Sequence, residues 1–160
     1  MMLFREPARK KQALSAEDCI GVLKSQKRGV LCVNGDGGYP YAVPLNYRYC
    51  AEDGKLYFHG GKTGHKIDAM QRDARVSFCV TDEGTPDPEN WWLTFRSVIV
   101  FGRIEWAESY EETVRISREI CKSFPCSEAY IADEISRYGK ATLCFVLTPE
   151  HITGKRVTER

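Results

Sequence analysis

The sequence predicts a mainly β fold, α+β by overall content, in which an antiparallel barrel is flanked by helices. Six apolar or aromatic runs have the length and composition of β-strands, and turn signals separate the early ones as in hairpins. Helical periodicity is confined to three or four segments and does not alternate strictly with the strands. A parallel, doubly wound sheet would require that alternation, so we expect an antiparallel barrel.

The composition is that of an ordinary globular protein. It has 42% hydrophobic and 28% charged residues, and its 160 residues suit a single domain spanning 1–160. The formal net charge of +1 gives no reason to expect a nucleic-acid or membrane partner. No apolar run approaches the roughly 20 residues that span a bilayer, and residues 1–4 are too short for the apolar part of a signal peptide. We therefore expect a cytoplasmic protein.

The cysteines support the same compartment. There are seven, an odd number, and none forms a Cys-x-x-Cys pair. Cys79, for example, lies within the apolar run 76–80. We interpret them as small buried hydrophobic residues in a reducing compartment, and neither as disulfides nor as zinc ligands.

The N-terminal third is predicted to contain one helix and one hairpin. Residues 1–13 form a basic, poorly patterned arm, after which Ser15 is suited to cap a helix. A buried strand at 29–33 follows, then a glycine-rich turn at 34–38 and a return strand at 39–50. These residues predict a β-hairpin.

Two prolines, Pro40 and Pro44, interrupt the return strand of this hairpin. Because proline has no N–H to donate, we expect part of this strand to be a sheet edge, a bulge or a ligand-facing wall. As a wall, the segment 43–45 would offer flat apolar contacts beside Asn46, whose amide can hydrogen-bond a heterocycle. The alternative is a kinked strand without a ligand.

The most informative stretch joins a short aromatic strand at 56–59 to a helix that runs to about Arg72. Between strand and helix lie glycines, two lysines, a threonine and a histidine, namely Gly60, Gly61, Lys62, Thr63, Gly64, His65 and Lys66. A strand that leads into a helix in this way leaves backbone N–H groups without partners at the positive end of the helix dipole. Since glycine has no Cβ, a phosphate can approach the backbone closely, and the lysines would add full charge. We interpret this segment as a phosphate-binding loop.

Two other interpretations of the loop follow from its sequence. The tripeptide at 61–63 is similar to the end of a nucleotide-binding P-loop, but that motif requires a glycine at the position of Leu56. The loop could also be a solvated turn between strand and helix, with His65 as an ordinary surface residue.

The second half begins with a predicted strand at 75–81 and a polar loop at 82–90, which we expect to be solvated and mobile. The β-type run at 91–106 is long for one strand. We therefore expect a bend or bulge near Arg96 or Gly102.

The adjacent residues Trp91 and Trp92 open this long run. Neighbouring residues of a strand point to opposite faces, so one tryptophan should meet solvent, a ligand or a partner chain. The pair therefore suggests dimerisation.

The C-terminal third is predicted to contain two capped helices and a final strand. The first helix follows Ser109 and ends at Pro125, and the second follows Ser127. A buried strand at 141–147 leads into a polar tail at 150–160. No internal repeat or linker interrupts the chain.

These motifs, in this order, resemble the FMN-binding split β-barrel proteins related to pyridoxamine 5′-phosphate oxidase, and most closely their nitroimidazole-resistance (Nim-type) branch. The resemblance extends from about Ser15 to Lys155. It is carried by GVLCV at 29–33, VPLNY at 43–47, FHGGKTGHK at 58–66, RSVIVFGR at 96–103 and TGK at 153–155. It implies a six-stranded antiparallel split β-barrel with flanking helices.

The resemblance also implies a homodimer with two FMN molecules in clefts between the subunits. The FMN phosphate would lie on the loop described above, the ring would lie against the segment 43–46, and one tryptophan of the other subunit would close the cleft. The implied cofactor-binding residues are Val43, Pro44, Leu45, Asn46, His59, Gly60, Lys62, Thr63, Gly64, His65, Lys66, Trp91, Ser97 and Val98.

The implied activity is that of an FMN-dependent oxidoreductase that reduces a small, flat, electron-poor substrate such as a nitroimidazole or another nitroaromatic. Relatives that oxidise pyridoxamine phosphate carry Arg-Gln-Val-Arg where this chain has RSVI at 96–99, so a phosphorylated vitamin is not the expected substrate. The flavin carries the redox chemistry, and His59, ahead of His65, is the candidate proton donor. NAD(P)H would dock transiently, since the chain has no dinucleotide fingerprint.

Two alternative functions remain open at this point. Some split-barrel relatives bind and degrade haem, and His151 would be the candidate ligand here. The chain could also be a flavin-binding or ligand-sensing dimer without turnover, because it shows few dedicated catalytic residues.

Overall fold

The computed structural model describes residues 4–159 and shows a single curled antiparallel sheet with four α-helices. The strands are β1 (Arg28–Asn34), β2 (Pro40–Asn46), β3 (Arg48–Tyr49), β4 (Leu56–Gly61), β5 (Arg75–Thr81), β6 (Thr85–Pro86), β7 (Leu93–Trp106) and β8 (Thr142–Thr158). The helices are α1 (Ala16–Ser25), α2 (His65–Arg72), α3 (Tyr110–Cys121) and α4 (Glu128–Tyr138).

The strand order is β2-β1-β5-β7-β8-β4-β3, and β6 pairs with β7 alone. Of the strands in residues 4–159, six have six or more residues, whereas β3 and β6 have only two each. The edge strand β2 comes back into contact with β4, near the other end of the order, so the sheet curls into a half-barrel. The predicted split β-barrel fold is confirmed.

The β1–β2 hairpin lies at one edge of the sheet. Its register runs from Arg28 opposite Asn46 to Asn34 opposite Pro40. No strand within residues 4–159 pairs with the other side of β2, so its prolines fall on an edge strand, which is the first of the three predicted alternatives. At Gly29 a Cβ would lie 2.6 Å from the backbone oxygen of Cys79, so glycine is required where β1 pairs with β5.

The main core lies on one face of this sheet. It contains a cluster of aromatic rings, in which Phe58 contacts both Phe78 and Phe145 with ring centroids 5.0 and 5.2 Å apart. The Tyr47 hydroxyl donates a hydrogen bond of 2.8 Å to the carbonyl of Leu23 in α1, and burial raises the pKa of Tyr47. Each fully buried large apolar side chain contributes about 1.5–3 kcal/mol to the free energy of unfolding. The core therefore anchors α1 and α2 to the sheet.

A second, smaller core forms on the opposite face, where α3 covers β4 and β8. Ile116 and Ile120 of α3 pack there with Tyr57 and Cys144. The helix begins as predicted, since the Ser109 Oγ accepts a hydrogen bond from the backbone N–H of Glu112 at 3.1 Å. Among the residues that the structure describes, no helix is long and apolar enough to cross a membrane.

Helix α3 is shorter than predicted. It ends at Cys121, and its extension to Pro125 was wrong. After Cys121 the N–H groups of Lys122, Ser123 and Phe124 bond to carbonyls three residues back, which tightens the chain into a turn before the proline is reached. Helix α4 then starts after the Ser127 cap, as predicted.

Strands β7 and β8 form the longest pairing of the sheet. Their register shifts between Phe101 and Gly102, which confirms the predicted irregularity near Gly102. A Cβ on Gly102 would lie 2.2 Å from the backbone oxygen of Thr148. The glycine therefore permits the close approach of the two strands at the bulge.

Both chain ends are more structured than predicted. The segment 150–160 was expected to be a polar tail, but β8 continues to Thr158 because it pairs with β7 along its length. The N-terminal arm 1–13 was predicted as poorly patterned, but its last residue, Ala13, forms an isolated antiparallel bridge with Lys155 of β8. Farther along the arm, the Phe4 ring stacks on His151 with centroids 4.9 Å apart. Residues 1–3 of the arm and the last residue of the chain lie outside the described range.

Candidate functional site

The loop between β4 and α2 leaves the N-terminus of α2 open to solvent. We call the candidate anion-binding site formed there by Gly60, Gly61, Lys62 and Lys66 the anion seat. Strand β4 ends at Gly61, and Gly64 occupies the N-cap of α2 with a positive φ of 123°, which favours glycine. Within the described part of the chain no side chain caps this helix. The first N–H groups of α2 are therefore accessible to an anion.

Lys66 extends over the bare backbone of β4. A Cβ added to Gly60 would lie 3.6 Å from Cε and 3.7 Å from Nζ of Lys66, and a Cβ on Gly61 would meet nothing within 4 Å. Lys62 and Thr63 are exposed on the same loop. Neither lysine forms an ion pair with another residue of the range 4–159. Two uncompensated cations beside open glycine backbone suit a phosphate group.

His65 is an anchor for α2 rather than a free side chain. Its Nε2 accepts a hydrogen bond from the backbone N–H of Asp36 at 3.2 Å, and its ring stacks on Tyr41 with centroids 4.2 Å apart. The Asp36 carboxylate in turn accepts a hydrogen bond of 2.7 Å from Arg72, at the far end of α2. The β1–β2 turn thus holds both ends of the helix that carries the anion seat.

Strand β2 leads from this seat to the second group of predicted site residues. Tyr41 contacts the loop helix through His65, and Asn46 lies five residues farther along the strand. Five residues of strand span about 17 Å. Lys66 lies on the core side of the sheet, whereas Asn46 lies on its outer face. Because β2 is an edge strand, an elongated molecule with a phosphate at one end and a flat ring at the other can join the two positions only by passing around the free edge of β2.

The predicted residues of β2 alternate between two faces. Val43 and Leu45 pack against the main core, whereas Pro44 and Asn46 belong to the opposite, outer face. The Asn46 Oδ1 accepts a hydrogen bond of 2.9 Å from the Nε of Arg28. This contact fixes the amide plane and directs its Nδ2 donors away from Arg28.

His59 and Gly60 lie on opposite faces of β4. Phe58 belongs to the main core and Tyr57 to the α3 side, so alternation places His59 on the α3 side. Gly60 and Lys66 lie on the other side. In a single protomer, a ligand seated on Lys66 would therefore be separated from His59 by the sheet. The His59 side chain remains accessible, but surrounding protein atoms partly desolvate it and lower its pKa.

The two predicted residues of β7 also face different ways. Ser97 is half-buried and lies opposite Lys155 of β8 and Thr81 of β5. Val98 is fully buried in the main core. A ligand on the outer face of the sheet can contact the side chain of Ser97 but not that of Val98.

The loop that carries the tryptophans is more ordered than predicted, since it contains β6 and two carboxylate-anchored turns. The Asp82 carboxylate accepts hydrogen bonds from the backbone N–H and the Nε of Arg96, at 2.8 and 2.7 Å. Asp87 Oδ1 accepts the N–H groups of the two residues 89 and 90 at 2.9 Å. Trp91 is 77% exposed at the end of this loop.

His151 is poorly placed to bind haem iron. It lies within β8 between Phe4 and Phe101, and its Nε2 is buried, with no hydrogen-bond partner in the described residues. Phe4 would have to leave before a haem could approach that nitrogen.

Sequence reasoning missed Arg28 and Tyr41 as parts of this site. Both positions follow from the hairpin register, which sets Arg28 opposite Asn46 and Tyr41 opposite Val33. Counting outward from the glycine-rich turn would have placed Arg28 beside the predicted ring-binding amide.

The sequence model of the pyridoxamine 5′-phosphate oxidase family matches residues 15–156. No curated protein matches the chain closely enough to be counted as a relative.

Several solved structures share the fold. A putative 5-nitroimidazole antibiotic resistance protein from Bacteroides thetaiotaomicron VPI-5482 is 19% identical, with a TM-score of 0.74 over 91% of this chain and 87% of its own. An FAD-binding protein from Mesorhizobium loti is 25% identical, with a TM-score of 0.67 over 91% of this chain and 97% of its own. An FAD- and haem-binding protein from Mycobacterium smegmatis is 19% identical, with a TM-score of 0.66 over 91% of this chain and 72% of its own.

Proposed function

The chain belongs to the pyridoxamine 5′-phosphate oxidase family, and on that basis we propose that it is an FMN-dependent oxidoreductase. Its substrate is a small, flat, electron-poor molecule such as a nitroimidazole or another nitroaromatic. The proposal draws on the similarity to a nitroimidazole-resistance protein and to FAD-binding proteins. It also draws on Ile99, an exposed apolar residue on the outer face, which stands where the expected motif of relatives that oxidise pyridoxamine phosphate, Arg-Gln-Val-Arg, ends in arginine.

The observation that carries the proposal is the anion seat at Gly60 and Lys66. The Lys66 ammonium lies beside bare strand backbone, next to a helix N-terminus that no side chain caps in the described range. A terminal phosphate bearing two negative charges gains from both features. FMN carries one such phosphate, joined by a flexible chain to a flat ring that can reach Asn46 around the free edge of β2.

Different residues of the chain hold the phosphate and the ring of this cofactor. Lys62, Lys66 and the first N–H groups of α2 hold the phosphate, while Asn46 donates from Nδ2 to the ring because its Oδ1 is bound to Arg28. A bound flavin supplies the two-electron redox chemistry. With a nicotinamide as the electron source, a nitro group takes up two electrons and two protons to give a nitroso group and water. We assign no step to His59, because it lies across the sheet from Lys66 and belongs to β4, whereas the proposed ring position is at Asn46 of β2.

We also propose a cytoplasmic homodimer with FMN between the subunits. The outer face of β7 exposes Ile99 and Phe101 by 38% and 36%, and Trp91 projects from the adjoining loop. Such apolar side chains on an outer sheet face are suited to a partner chain. All seven cysteines are free, in keeping with a reducing compartment. Light scattering at micromolar concentration should give a dimer, and a monomer would contradict this part of the proposal.

The test of the cofactor assignment is Lys66→Ala, with Lys140→Ala as a matched surface control. Charge-assisted hydrogen bonds contribute about 1.5–3 kcal/mol, so Lys66→Ala should weaken FMN binding by roughly tenfold or more. Flavin absorbance after desalting and FMN titration by fluorescence quenching measure this. Unchanged flavin binding in Lys66→Ala would contradict the phosphate seat.

The same protein preparations distinguish the proposed oxidoreductase from the two alternative functions. Reduction of bound flavin by NAD(P)H, followed by reoxidation that is faster with a nitroimidazole than with air, supports the oxidoreductase. Flavin binding without such turnover favours a non-catalytic flavin-binding dimer. A Soret band in place of flavin bands would favour haem.

A further inference from the structure

An open cleft of about 790 Å³ lies on the outer face of the sheet, where β1, β2 and β5 meet the end of α1. Its lining includes Lys27, Arg28, Val30, Pro44, Thr81 and Glu83. Val30 lies directly opposite Pro44 and forms a flat apolar floor with it. The cleft thus joins an apolar surface to charged walls.

This cleft adjoins the end of β2 that is expected to face the flavin ring. Arg28 lines it and lies directly opposite Asn46 in the hairpin register, so both side chains occupy the same face. Glu83, on the other wall, belongs to the loop that also carries Trp91. A substrate resting on Val30 and Pro44 would therefore lie next to the ring.

Arg28 is held in place while most of its hydrogen-bonding capacity stays open. Its Nε–H donates to Asn46 Oδ1 at 2.9 Å, and no ion pair of Arg28 occurs among residues 4–159. The terminal nitrogens of a guanidinium form a planar fork that fits a carboxylate. A guanidinium already oriented by one hydrogen bond loses less side-chain freedom on binding a carboxylate than an unbound one does.

The charges around Arg28 favour a single negative group. The Lys27 ammonium lies 5.5 Å from the centroid of the Phe124 ring, which holds a second positive charge at the rim of the cleft. The charged residues of the cleft lining are two cations, Lys27 and Arg28, and one carboxylate, Glu83. Their formal charges sum to +1.

From this geometry we propose that the cleft is the substrate pocket and that Arg28 selects aromatic substrates carrying a carboxylate or a similar anionic group. The proposal rests on the proposed flavin-dependent function, and it names the substrate class for that site. The apolar floor binds the aromatic ring, and Arg28 binds its anionic substituent.

The test compares 4-nitrobenzoate with the neutral 4-nitrobenzamide, which has nearly the same size. We expect wild-type protein loaded with FMN to prefer the anion in KM, and Arg28→Gln to raise the ratio of KM(anion) to KM(neutral) by about 10-fold or more. Any effect transmitted through Asn46 alters both substrates and cancels in this ratio. Arg28→Lys, which keeps the charge but loses the fork, should restore part of the preference. Arg137→Gln, on the surface of α4, is the control.

For a second variant, which leaves Arg28 unchanged, we expect the opposite change in KM for the anion. Glu83→Gln removes the opposing charge and should lower KM for the anion about two- to fivefold, with little change for the amide. Equal effects of Arg28→Gln on both compounds, or no preference for the anion in wild type, would overturn the proposal.

Failure of the proposed function is distinguishable from failure of this inference. Protein that binds no flavin or reduces neither compound would refute the oxidoreductase, not the pocket. In that case calorimetric titration of the two compounds into the wild type, Arg28→Gln and Glu83→Gln decides the question. The same order of affinities would uphold the anion-selective cleft, and an absence of selective binding would refute it.

Discussion

The imidazole ring of His65 stacks on the phenol ring of Tyr41, with centroids 4.2 Å and planes 27° apart. Tyr41 belongs to the edge strand β2, and His65 is the first residue of α2. This contact therefore fixes the proposed phosphate seat relative to the wall along which the flavin ring would lie. In the proposed FMN complex, the positions of the phosphate and of the ring would therefore be coupled through these two side chains.

Replacing Tyr41 tests this coupling without removing a charge from the seat. Aromatic pairs contribute about 0.5–1.5 kcal/mol beyond their buried area, so Tyr41→Ala should weaken FMN binding by roughly 2- to 10-fold. Tyr41→Phe keeps the ring and should bind FMN like the wild type. Fluorescence titration with FMN measures both variants, and equal affinities for Tyr41→Ala and Tyr41→Phe would show that the stack does not position the seat.

The elements that local signals define were predicted well. Strand β5 has the predicted bounds, and the Ser15, Ser109 and Ser127 caps begin their helices as expected. A cap requires only a side-chain oxygen and an N–H two or three residues away, so it is visible in a short window of sequence. The glycine-rich turn defined the hairpin for the same reason.

Elements that depend on distant partners were predicted less well. The polar residues after Pro149 continue β8 because β7 supplies a ladder for them, from His151 opposite Phe101 to Thr158 opposite Thr94. The same limit applied to the candidate site. The residues of the anion loop are local and were found, whereas Arg28 enters through strand register.

Gly102 offers a stability test of the β7–β8 bulge. Gly102→Ala would bring a Cβ within 2.2 Å of a backbone oxygen, and the strands would have to separate. Such overpacking costs about 1–3 kcal/mol, or more where backbone must move. We expect a clear decrease in the free energy of unfolding, measured by urea denaturation.

Gly21, within α1, is the matched control for this substitution. A Cβ there would meet nothing within 4 Å, and alanine favours a helix over glycine by about 0.5–1 kcal/mol. Gly21→Ala should therefore stabilise the protein. If Gly102→Ala and Gly21→Ala shifted stability in the same direction, the close approach at the bulge would not explain Gly102.

His59 provides the pH test. Desolvation lowers its pKa below the value of about 6.5 in the unfolded chain, so the folded state binds the proton less readily. Its contribution to stability is therefore complete above about pH 6.5 and declines as the pH falls toward the folded pKa. His59→Gln should flatten the loss of stability between about pH 7 and pH 5 in urea denaturation, while FMN binding and turnover at neutral pH stay within about twofold. A large fall in kcat, with loss of an ionisation from the pH–rate profile, would instead restore His59 as the proton donor.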